Sequence, residues 1–166
     1  MTFSDQNHSK RLIISAAVSA LAAGLISSGH HLYGAIAYDT MWRAGVSYWI
    51  LGIVVLLCSL LYIYWRFNHT LMGKIALWIF SFWAVFFQAG FTLFECVYSH
   101  VLKDILFFSG VSRPTLELLY PPPAYHLPDN WLFEFTGVMQ LAGFVSVWYA
   151  YRLFQNRPWA NNTGGE

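Results

Sequence analysis

Six histidines, eight acidic residues and two cysteines are the side chains of this 166-residue sequence that could move a proton or hold a metal ion. Their placement is uneven. His30, His31, Glu95, Cys96, His100, His126, Asp129 and Glu134 fall in short stretches, whereas Val46 to Tyr64 holds no ionisable group except Cys58 and three tyrosines. Imidazole, carboxylate and thiolate are the ligand set of Cu, Fe and Zn, and imidazole is also an axial ligand of haem. The expected ligands are His31, His100, His126 and Glu95, with His30 and Cys96 in reserve. Cys96 and His100 stand four apart, the spacing at which two side chains on one helix face can share an ion. Glu95 and Glu134 are the candidate acid and base. No H-E-x-x-H and no C-x-x-C is present, so the pattern names no enzyme class.

Plainer roles compete for each residue. Glu134 falls in the first turn of an expected helix, where a carboxylate is favoured by the dipole alone. Asp129 suits the cap of that helix. His30 and His31 suit a polar end to an apolar run, His100 and Asp104 an i, i+4 pair, and Cys96 a small apolar filler. Glu95 resists such treatment. It lies between Phe94 and Val97 in an apolar segment, and an ionisable group within a membrane costs about 2.5–3.5 kcal/mol on insertion scales.

The elements that position these residues follow from composition. Hydrophobic residues make up 57% of the chain, aromatics 19% and charged residues only 10%, with a net charge of +1. A soluble domain carries about 25% charged residues. These values exclude a disordered chain, a nucleic-acid binder and a disulfide-stapled module. They predict an all-α membrane protein with lipid bilayer around it.

Runs of about 20 apolar residues mark membrane spans, and four are expected, at about 12–30, 46–65, 75–98 and 131–154, with an outer loop over 99–130. None is expected to break in its middle. Lys10, Arg11, Arg66, Lys74, Arg152 and Arg157 lie on one side, and Arg43, Lys103 and Arg113 on the other. Basic residues stay cytoplasmic, which predicts both termini inside and a bacterial inner-membrane location. A secretory signal at Lys10-Arg11 is the competing reading, but the Ala20 to Ala22 cleavage site would fall too early in the apolar run. Asn68-His69-Thr70 and Asn161-Asn162-Thr163 match the glycosylation pattern but fall on the cytoplasmic side.

Ala17, Ala20, Gly24, Ser28 and His31 recur at helical steps as a packing face, which turns His31 inward and His30 about 100° away. Gln88, Thr92, Glu95 and Ser99 form one polar stripe, with Cys96, His100 and Asp104 beside it. In the loop, Pro121-Pro122-Pro123 and Pro128 stiffen the chain, Ser112 before Pro114 suits a helix start, and Leu116 to Tyr120 supply apolar surface for folding back. Cys58 and Cys96 lie at different depths and are not expected to pair. The expected function is a histidine and carboxylate site at the periplasmic face, binding a transition metal or haem for redox, metal handling or catalysis. The alternatives are an accessory subunit of a larger membrane complex, a homo-oligomer, and a bundle that binds a lipid or quinone.

Overall fold

A computed structural model describes residues 3–157, with side chains from residue 7. Helix α1 runs over Phe3–Ala37, α2 over Trp42–Phe67 and α3 over Leu71–Phe108. A short α4 follows at Arg113–Leu119, then α5 at Trp131–Met139 and α6 at Ala142–Gln155. No strand occurs among the described residues. Three helices, Asn7–Ala37, Trp42–Phe67 and Leu71–Phe108, are long and apolar enough to cross a membrane.

Small residues let α1 lie close to its neighbours. Ala16, Ala20, Ala23 and Gly24 are buried along it, and a side chain at Gly24 would collide with Val54 of α2. The hydroxyls of Ser28 and Ser47 meet across the same seam at 2.5 Å. α1 packs on α2 along one flank and on α5 and α6 along the other. Its buried arc is therefore wide enough to take in both His30 and His31. His30, about 100° round the helix from His31, thus faces neighbouring helices, at His100 and Thr136.

Leu12, Leu57, Leu61, Tyr64, Leu77, Phe80 and Leu153 form an apolar core at one end of the bundle. The other end carries His30, His31, His100 and His126. Between α2 and α3 the turn is held by Thr70, whose Oγ1 accepts from the Gly73 N–H at 3.3 Å. Gly73 sits against the Phe67 carbonyl, where a Cβ would overlap backbone.

Two departures from regular helix shape the histidine end. In α3, Ala84–Gln88 and Thr92–Leu102 are wound as π-helix, a wider winding often found at functional sites. It turns Thr92, Cys96, His100 and Lys103 inward together, and leaves Glu95 only half-buried. Cys96 and His100 pack inward together with Thr92 and Ser99, so both polar stripes contribute to the packing face. α3 also continues to Phe108, so the expected loop boundary at 99 moves and His100, Lys103 and Asp104 are helical.

The expected fourth span, 131–154, is two helices joined at Gln140-Leu141. There Gln140, Leu141, Gly143 and Phe144 donate to carbonyls three residues back, at 2.9–3.2 Å, which tightens the chain without a proline. The Cys96 thiol donates to the Val138 carbonyl at 3.4 Å beside this joint. Both cysteines are free thiols. Asn130 caps α5, accepting from the Leu132 and Phe133 N–H groups at 3.2 Å each. This corrects the assignment of the cap to Asp129, which accepts from the Tyr38 hydroxyl at 2.8 Å.

The connection from α3 to α5 folds back as expected. Ser112 and Pro114 start α4, and Leu116 and Tyr120 are buried, while Leu118 remains exposed.

Candidate functional site

A chain of side chains crosses the histidine end from α5 through α3 to α1. Lys103 Nζ donates to Glu134 Oε1 at 2.7 Å, and His100 Nδ1 lies 2.5 Å from Glu134 Oε2. On its far edge, His100 Nε2 is 3.2 Å from His30 Nε2, and His30 Nδ1 is 3.0 Å from Thr136 Oγ1. Every imidazole, carboxylate and ammonium group in this chain belongs to a residue less than a tenth exposed. Phe133 stacks on His30, with ring centroids 4.3 Å apart, and closes one side.

Hydrogen-bond bookkeeping constrains the protons. The Thr136 hydroxyl lies 2.9 Å from the Leu132 carbonyl. Its one proton has three acceptors in reach, the Leu132 and Phe133 carbonyls and His30 Nδ1, so His30 has two forms: Nδ1–H donating to Thr136, or Nε2–H with Nδ1 accepting from it. Glu134 is paired with a buried ammonium and accepts through both oxygens, so His100 Nδ1 carries its hydrogen. The two Nε2 atoms then face each other at hydrogen-bond distance. With His30 in the second form, its Nε2–H donates to His100 Nε2 and two neutral rings are joined. With it in the first, two lone pairs would oppose each other, and a cation between them would remove the repulsion.

Beside this chain lies a cavity of about 210 Å³ lined by His31, Arg43, Glu95, His100, Lys103 and His126, among others. Both ring nitrogens of His31 are buried and have no protein partner. Glu95 has Arg43 and Lys103 as the cations in its field. Arg43 and Lys103 also hold the covering segment: Arg43 donates to the Ala124 carbonyl at 2.7 Å and Lys103 to the His126 carbonyl at 2.8 Å.

All four expected ligands, His31, Glu95, His100 and His126, line this cavity. His100 also meets His30, His126 lies flat on Tyr38 with ring centroids 3.7 Å apart, and Cys96 serves the α5–α6 joint. Glu134, a candidate acid or base, is the centre of the ion-paired chain. Among the described residues, no three His, Cys, Asp or Glu side chains group as the ligands of one metal ion. Thr136 is the site member that sequence reasoning missed. Lys103, by sequence a candidate partner of Glu95, bonds Glu134 of the facing helix instead.

No protein-family model, curated protein or solved structure matches this chain. Its chemistry rests on the residues themselves.

His126 offers a test of the covering segment. Burial and then the nearby Arg43 charge lower its pKa below the ordinary histidine value. The folded state thus prefers the neutral ring. Its contribution is complete above the unfolded pKa of about 6.5 and declines as pH falls below that value. Hydrogen exchange around Tyr125 to Leu127, corrected for intrinsic rates, is expected to quicken between pH 7.5 and 5. A His126→Phe variant should lose most of that dependence. An unchanged pH profile in the variant would remove His126 as the cause.

Proposed function

We propose that this protein is a membrane-embedded proton-binding relay, in which Glu134, His100, His30 and Thr136 form a buried wire open to an aqueous cavity at the outer face. The observation that carries the reading is the pair of Nε2 atoms at 3.2 Å, which joins Glu134 beyond one ring to the Thr136 hydroxyl beyond the other. One proton held between the rings completes the wire. Its charge sits beside Lys103 and Arg43 and is offset by Glu134 and Glu95, with Asp104 next to Glu134 and the neutral His31 and His126 around the cavity. A cavity of about 210 Å³ has room for several waters at about 30 Å³ each. Those waters would bring protons past His31 to His100.

Membrane insertion is supported by the three apolar helices and by their outward side chains, with Trp49, Phe86 and Trp131 well exposed. The orientation is supported by charge. Lys10, Arg11, Arg66, Lys74 and Arg152 gather at the apolar-core end, whereas Arg43 and Lys103 at the histidine end are 4% and 1% exposed and bonded inward. Those two cations therefore weigh little against a periplasmic histidine end. A bacterial inner membrane with both termini inside remains the proposed setting.

The test is nitrogen NMR of ring-labelled histidine in detergent-solubilised protein between pH 5 and 8. A coupled imidazole–imidazolium pair is expected, lost in His30→Phe while the fold is kept. Two independent neutral rings throughout that range would sink the relay.

The same facing nitrogens favour a second reading, a transition metal such as Cu, Fe or Zn held by His30 and His100. Two imidazole nitrogens about 2.0–2.1 Å from a tetrahedral ion stand about 3.3 Å apart, and metal-bound histidines donate their other N–H to groups such as Glu134 and Thr136. The proton reading is preferred because no third side-chain ligand joins them. Stoichiometric metal in protein purified without chelator or histidine tag, absent from His30→Phe, would reverse that preference.

A further inference from the structure

We infer that a second cavity, at mid-depth between α1, α2 and α3, binds a neutral quinone or quinol. This cavity, of about 350 Å³, is separate from the histidine wire and lined almost wholly by apolar side chains. Its exceptions are Ser27, Gln88, Thr92 and Gln140. Gln140 is only 3% exposed. The Ser27 hydroxyl donates to Gln140 Oε1 at 2.7 Å, which fixes the amide and leaves Nε2 buried without a partner. Gln88 Oε1 is buried without a partner as well. One unused donor and one unused acceptor thus belong to residues in the wall of an apolar space whose size falls in the range of small-molecule sites.

These groups define the occupant. A ring carbonyl accepts from Gln140 Nε2, and in the reduced form a hydroxyl donates to Gln88 Oε1. Trp83, Phe87 and Phe91 line the same space and suit a flat ring. No charged residue lines it, so the ligand is neutral. Depth separates a quinone from a phospholipid. On α1 the lining residues run from Ala20 to Ser27 and begin near the midpoint of the apolar Asn7–Ala37 helix, well inside a hydrocarbon core about 30 Å thick. Ester carbonyls lie at its edge, whereas a quinone head can reach its centre. Exposed Trp49 and Phe87 stand at the rim and mark a lateral entry from the bilayer.

The experiment is titration of the full-length protein in mild detergent with decylubiquinone, read by tryptophan fluorescence quenching, with decylbenzene and phosphatidylethanolamine as competitors. Saturable quenching at one quinone per chain is expected. Gln140→Leu should weaken it about tenfold, the effect of one buried hydrogen bond. Ala23→Leu, which fills the cavity and keeps the amide, should abolish it. Unsaturable quenching, or saturable quenching untouched by both variants, overturns the assignment. Equal displacement by decylbenzene would show an unspecific apolar slot, and displacement by phosphatidylethanolamine a lipid site; either also overturns it. Should Gln140→Leu fail to fold, Ala23→Leu and the competitors decide.

Discussion

Replacing Glu134 with alanine is expected to destabilise the bundle by about 3–5 kcal/mol, the usual consequence of leaving one member of a buried ion pair alone. Lys103 is 1% exposed and has only Glu134 Oε1 and the His126 carbonyl as described acceptors. Without the carboxylate its ammonium keeps a full charge in a closed site. Such a loss is a large share of a stability of about 5–15 kcal/mol. The double variant Lys103→Met/Glu134→Gln removes both charges and should recover most of the loss. It should still lack the coupled imidazole pair, because a neutral amide cannot hold the charge on His100. Unfolding of the three proteins in one detergent, followed by circular dichroism, measures the effect. A single Glu134→Ala variant as stable as the parent would show that the pair is solvated.

Gly137→Ala is expected to separate the relay from the fold. A Cβ at Gly137 would overlap the His100 ring at several atoms, and Phe133 lies on that ring as well, with centroids 5.2 Å apart. The imidazole must shift, and a shift of a few tenths of an ångström breaks the 3.2 Å approach to His30. Overpacking of this kind costs about 1–3 kcal/mol. The expected outcome is a folded but weakened protein whose two histidines titrate separately. Gly90→Ala is the matched control: its Cβ meets nothing within 4 Å, and exchanging a helical glycine for alanine favours helix by about 0.5–1 kcal/mol. A coupled histidine signal surviving in Gly137→Ala would mean that the ring has another place to go.

Much of the architecture could be read from residue types alone. Apolar runs predicted the three long helices, and the Ala20, Gly24, Ser28 series predicted the close α1–α2 seam. The gathering of His, Glu and Cys at one end was also visible. The wiring among them was not. Glu134 meets His100 and Lys103 across 34 and 31 residues of sequence, and spacing says nothing about partners on different helices. The π-winding of Thr92–Leu102 has no local marker, yet it goes with burial of Cys96, Ser99 and His100 and a place for Glu95 in the cavity wall. At Gln140-Leu141 neither a proline nor a glycine stands at the break, and the tightened turn is held by contacts from α1 and α3. Asn130 and Asp129 are equally good caps by type; Tyr38, from the end of α1, claims the second and leaves the first to α5.

Lys103 spends two of its three hydrogens in two places, on the buried acid and on the backbone of the segment that covers it. Cap and interior are thus coupled thermodynamically. A loop substitution that frees the His126 carbonyl and an interior substitution that frees Glu134 draw on the same ammonium, so their costs should not add in a double-mutant cycle. The covering segment is then no hinged door over a finished site. It ends the same cooperative unit, and local opening of the cap is a first step in unfolding the histidine end.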